Sequence, residues 1–91
     1  MPTNYVLSIT PLGTHIDDVI SIVESYRDWR IERINRERGF VHPEERPIII
    51  GDKSAIVDSG YYRFYGWIKG ITVTIFYGFD ADGYLTEVFV W

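Results

Sequence analysis

The residues of this chain best suited to chemistry stand alone. Two histidines, His15 and His42, are its only imidazoles, and it has no cysteine. His15 is followed by Asp17 and Asp18, a trio that could in principle hold a metal or share a proton. No spacing rule links it to His42, so an imidazole in the first turn of a helix is the stronger reading. Asp80-Ala-Asp82-Gly83 suggests calcium. An EF-hand loop needs oxygen ligands at its first, third and fifth positions and glycine at the sixth. Here glycine arrives fourth and Tyr84 fifth, so the tetrapeptide reads as a turn. None of the serines at 8, 21, 25, 54 and 59 lies in a GxSxG elbow or an SxxK pair. Gly51-Asp-Lys-Ser54 lacks the upstream glycine of a phosphate loop. No catalytic residue, metal ligand or cofactor site is expected, and the chain reads as a non-enzyme.

What could do chemistry by contact is a cluster of rings. Residues 61–70, YYRFYGWIKG, hold five aromatic residues with one Arg and one Lys among them. Tyr and Trp beside Arg is the composition of interface hot spots. Arg63 and Lys69 could lie over ring faces as cation–π pairs. The competing reading makes these rings wall material capping one end of a sheet. The candidate contact residues are Tyr61, Tyr62, Arg63, Tyr65, Trp67 and Lys69. The expected function is non-catalytic binding of an unidentified protein; the alternative is a small-molecule or carbohydrate binder using the same rings.

Composition limits the partners. Ninety-one residues with a net charge of −4 and 46% hydrophobic residues describe one α+β domain spanning 1–91, as monomer or weak homodimer. The negative balance argues against non-specific nucleic-acid or anionic-membrane binding. The arginines at 27, 30, 33, 36 and 38 alternate with Asp28, Glu32 and Glu37, which suggests a solvated strand face with cross-strand ion pairs. No apolar stretch reaches the ~20 residues of a membrane span, and no signal peptide is visible. The sequence assigns no compartment: cytoplasm, or periplasm with a leader removed, both fit.

The elements that must position these residues follow from periodicity. Ile16, Val19, Ile20 and Val23 recur at helical spacing behind Thr14, with Asp17 completing a capping-box pattern. They predict an amphipathic helix over about 14–27. Residues 5–9, YVLSI, read as a first strand or an extended lead-in, and 10–13 as a turn. Residues 29–35 fit a strand, with Trp29 and Ile31 on one face. The strand is the preferred reading, followed by a turn at 36–39 around Gly39; the helix alternative, in which Ile31 and Ile34 share a face, stays open. Residues 40–47, with Pro43 and Pro47, read as a loop. Strands are expected at 54–58 and 71–79, with a short one at 48–50. In 71–79, Ile75, Tyr77 and Phe79 share one face. The 80–83 turn leads into a closing strand at 84–91, with Gly83 at positive φ. The sum is α+β: one N-terminal amphipathic helix on a four- to five-stranded, mainly antiparallel sheet.

The order TPLGTHIDDV on a helix, then a sheet, then FYGFDADGYLTEVFVW resembles small bacterial domains of the β-lactamase-inhibitor-protein-like and outer-membrane small-lipoprotein (SmpA/OmlA-type) group. The likeness covers about residues 10–28 and 71–91. It is similar also to uncharacterised bacterial proteins that combine a GYYR-like segment with GFDxDG. The resemblance implies a binding module that acts in envelope assembly or enzyme inhibition, with no catalytic residue. The chain differs from the lipoproteins in lacking a signal and an acylated Cys, and in showing one obvious helix where they have two.

Overall fold

The computed structural model describes residues 3–59 and 73–91. Two helices, α1 (Thr3–Ile9) and α2 (Ile16–Ser25), precede six strands. These are β1 (Arg30–Asn35), β2 (Phe40–Val41), β3 (Ile49–Ile50), β4 (Lys53–Asp58), β5 (Thr74–Phe79) and β6 (Leu85–Val90). The main sheet runs β1-β4-β5-β6 with every neighbour antiparallel. β2 and β3 pair separately as a small hairpin. The fold is α+β, with helices on one face of an antiparallel sheet. Among the described residues no helix is long and apolar enough to cross a membrane.

The expected strand at 5–9 is a helix instead, so the chain has two helices where one was expected. Its β-branched and aromatic residues favour a strand, but a seven-residue helix takes its stability from packing rather than propensity. Val6 supplies that packing and is fully buried. Thr10 closes the helix, its amide and hydroxyl both donating to the Val6 carbonyl, at 2.9 and 2.8 Å. The Thr10 hydroxyl also lies 3.1 Å from that of Tyr77, in the centre of the sheet. The pairing satisfies both buried oxygens.

α2 lies within the expected 14–27 but starts later. His15 is the N-cap, not Thr14: its Nδ1 accepts the Asp17 amide at 3.2 Å. The Thr14 hydroxyl donates to the Pro11 carbonyl at 2.6 Å and is thereby occupied. Asp17 and Asp18 stand in the first turn, where the dipole favours them. Ile16, Val19 and Val23 form the buried stripe facing Val57, Ile75, Tyr77, Phe79 and Leu85 of the sheet.

β1 resolves the helix-or-strand ambiguity. Its register on β4 shifts between Ile31 and Arg33, leaving Glu32 as an extra residue. Strict alternation would place Ile34 opposite Ile31. The bulge brings both back to the helix side, with Ile31 paired to Val57 and Ile34 to Ala55. The three-residue spacing that resembled a helix is therefore the mark of a bulged strand.

The β5–β6 hairpin turns at 80–83 as expected. Gly83 has φ +92° and its amide donates to the Asp80 carbonyl at 3.0 Å. The turn also docks α2, since the Ile16 amide donates to the Gly83 carbonyl at 2.7 Å.

Candidate functional site on the open face of the sheet

The helices cover only one face of the sheet. Side chains at alternate positions of β4 and β5 point to the other, and the registers align them in rows. One row runs Arg33, Ile56, Phe76, Phe89 across all four strands. A parallel row runs Arg30, Asp58, Thr74, Trp91, the last two exchanging amide–carbonyl bonds at 3.2 and 2.9 Å. Phe76 and Phe89 have ring centroids 6.2 Å apart, and Trp91 is 61% exposed.

One end of this face is covered by the β2–β3 hairpin. Phe40, expected in a loop, is instead a buried strand residue at 3% exposure. Its ring lies over Gly78 and packs on Phe76 with centroids 5.3 Å apart. A Cβ at Gly78 would stand 3.2 Å from Cε1 of Phe40, so glycine there makes room for the ring. His42 holds the other side of the hairpin, its ring 4.5 Å from that of Phe89. Its Nδ1 accepts the Glu44 amide at 3.1 Å, which orders the turn that follows.

Between hairpin and sheet runs a groove. Its larger part, about 470 Å³, opens on the sheet beyond the hairpin and is lined by Glu32, Arg33, Ile56, Thr74 and Phe76. The narrower part, about 290 Å³, adjoins it through Arg33, Ile56 and Phe76. There Arg33, Arg38 and Arg46 stand around a floor that includes Phe40 and Phe76, with Asn35 and Ser54 as neutral polar groups. The bulge at Glu32 and the hairpin at 40–50 together shape this groove.

The electrostatics of the face are uneven. Arg30 pairs with Asp58 across the strands at 3.2 Å, as the sequence suggests. Arg36 reaches back to Asp17 on α2 at 2.8 Å, and this guanidinium holds the Asp17 carboxyl below the usual carboxylate range. Among the described residues, Arg33, Arg38 and Arg46 make no ion pair. Asp80, the candidate calcium ligand, already has an occupation. Its Oδ1 accepts the amides of Asp82 and Tyr84 at 3.0 and 2.9 Å. His15 is likewise committed, as N-cap of α2 and edge-on to the Tyr84 ring at a centroid distance of 5.3 Å.

The six candidate contact residues, Tyr61, Tyr62, Arg63, Tyr65, Trp67 and Lys69, lie outside the described residues. The residues on either side of that segment are placed. Ser59 and Val73 continue the β4–β5 pairing, with the Ser59 amide and hydroxyl both donating to the Val73 carbonyl at 2.9 Å. Residues 60–72 thus join two adjacent points, one residue beyond Asp58 and Thr74. The groove joins residues that no sequence motif links. Arg33 and Arg38 stood out as basic residues, but their convergence with Arg46, Phe40 and Phe76 depends on long-range pairing. The run Ile48-Ile49-Ile50 behind Pro47 was its one local signal. No protein-family model, curated protein or solved structure matches the chain.

Proposed function

We propose that this chain is a non-catalytic protein-binding module whose contact surface is the open face of the sheet, continued by the aromatic segment 61–69. The observation that carries the reading is the row Arg33, Ile56, Phe76, Phe89, facing away from both helices and ending beside exposed Trp91. Aromatic and Arg side chains on one surface are what protein interfaces concentrate at their centres. The segment 60–72 starts and ends next to Thr74 and Asp58, at the same end of the sheet as Arg30 and Trp91.

The small-molecule alternative draws on the groove of about 470 Å³, with Ile56 and the Phe76 ring in its lining. That volume lies within the ordinary range of ligand pockets. The protein reading is preferred because this concavity shares Arg33, Ile56 and Phe76 with the second one, so that the surface on offer is longer than a single pocket.

The test is capture from the source cell on immobilised protein, read by quantitative mass spectrometry. Ile56→Gln and Trp91→Ser on the open face should lose the partner that wild type retains. Tyr5→Gln, exposed on α1, should keep it. Trp67→Ala should weaken binding by about 2 kcal/mol. Equal retention by wild type, Ile56→Gln and Trp91→Ser, each with an unchanged melting temperature, would refute the reading.

A further inference from the structure

We infer that the groove between the β2–β3 hairpin and the sheet is an anion-recognition site, and that it takes an acidic segment of the partner protein, carboxylates on the arginines and an apolar side chain on the floor. The inference rests on the protein-binding reading above and names the chemistry of the partner.

The first support is the concentration of unneutralised charge. Arg33, Arg38 and Arg46 come from β1, from the turn after it and from the far end of the hairpin, yet line one concavity of about 290 Å³. Two nearby arginines, Arg30 and Arg36, are each paired with an aspartate. Like charges held together without counterions repel, so a fold that gathers three leaves a site which an anion stabilises.

The chain itself does not supply that anion. Among the described residues no carboxylate pairs with the three, and residues 60–72 contain Arg63 and Lys69 but no Asp or Glu.

The surroundings select the kind of anion. A guanidinium presents a planar fork of donors that matches a carboxylate in bidentate fashion. Asn35 and Ser54 are engaged within the chain, with the Glu37 amide and the Arg38 carbonyl, and brace the loop that carries Arg38, while Phe40, Ile56 and Phe76 give an apolar floor. A continuous polyanion fits poorly. Leaving the arginines in either direction, it would meet Glu32 in the adjoining concavity or Glu87, which shares a row with Ser54 and Gly78. The chain's net charge of −4 would oppose it at longer range. A short acidic stretch with one aromatic or aliphatic residue carries less charge over a shorter length and so meets both obstacles less.

The test is nuclear magnetic resonance titration of the full ¹⁵N-labelled chain with a synthetic acetylated peptide, Asp-Glu-Phe-Glu-Asp amide. The arginine Nε–H signals of Arg33, Arg38 and Arg46 and the amides of Ile56 and Phe76 should shift, with a midpoint of about 1 mM or below. The neutral counterpart, Asn-Gln-Phe-Gln-Asn amide, should bind at least about tenfold more weakly. Arg38→Gln and Arg46→Gln should each weaken the acidic peptide about tenfold, while Arg27→Gln, outside the groove, should not. Equal binding of the two peptides, shifts confined to the helix side, or no saturation by about 10 mM would overturn the inference. So would tighter binding of inorganic phosphate or of a ten-nucleotide oligothymidylate. If capture depends on Ile56 and Trp91 but the acidic peptide does not bind, the acidic occupant falls and the protein-binding reading stands. If the peptide binds and capture ignores the open face, that reading falls instead.

Discussion

Replacing Gly83 by alanine should expose how the closing turn and α2 hold one another. Two costs add. Gly83 has φ +92°, where a residue with a Cβ is strained by about 1–2 kcal/mol. The new Cβ would also stand 2.8 Å from Nε2 of His15. The ring cannot yield freely, because its Nδ1 caps α2 through the Asp17 amide and its edge rests on Tyr84. Displacing it forfeits an N-cap, about 1 kcal/mol. The expected loss is therefore about 2–3 kcal/mol. Urea denaturation followed by circular dichroism measures it, with a double-mutant cycle against His15→Ala. In the His15→Ala background Gly83→Ala should cost only the backbone strain, giving a coupling of about 1 kcal/mol. A loss below about 0.5 kcal/mol, or additive single effects, would refute the reasoning.

Other outcomes follow from the same contacts. Burial pushes the Tyr77 hydroxyl up to about 12, partly opposed by its bond to Thr10. The folded state thus keeps a proton that the unfolded chain releases near 10, so this stability is whole below pH 10 and fades as pH rises toward 12. Its size is about 3 kcal/mol, and Tyr77→Phe should flatten that part of the stability profile relative to wild type. Asp17 acts in the opposite window. Its carboxyl is held low by Arg36, so its contribution is present above the ordinary value of 3.8 and disappears as pH falls through the lowered one. Arg36→Gln should reduce the acid sensitivity of stability between pH 4 and pH 2, about the range where carboxylates protonate. Phe40→Ala should cost about 3 kcal/mol by emptying the seat over Gly78 and Phe76. A loss below about 1 kcal/mol in denaturant titration would show that the hairpin is not anchored by that ring.

Some of this architecture was plain in the residues. The stripe Ile16, Val19, Val23 and the alternation Ile75, Tyr77, Phe79 are local patterns that burial alone dictates. The Asp80–Gly83 turn was legible because its glycine and its side-chain acceptor act within four residues. Failures came where distant partners decide. Residues 5–9 have strand composition, but Val6 and Thr10 find their partners beside Tyr77, and that contact makes the segment helical. By contrast, the strand expected at 29–35 is observed as β1, and the bulge at Glu32 explains the Ile31–Ile34 spacing that also fits a helix. Thr14 looked like a cap, yet its hydroxyl is drawn to Pro11 and His15 takes the role. The groove was the least legible feature. Its arginines are 13 positions apart between Arg33 and Arg46, and only the hairpin seated on Phe76 brings them together.

Amide hydrogen exchange of the chain, alone and with the partner it captures, tests the role of the open face most directly. Binding there should slow exchange in 38–50, 54–58 and 74–78 and leave α1 and α2 unchanged. Protection concentrated in Thr3–Ile9 and Ile16–Ser25, with β4 and β5 unaffected, would place the partner on the helices and contradict the account.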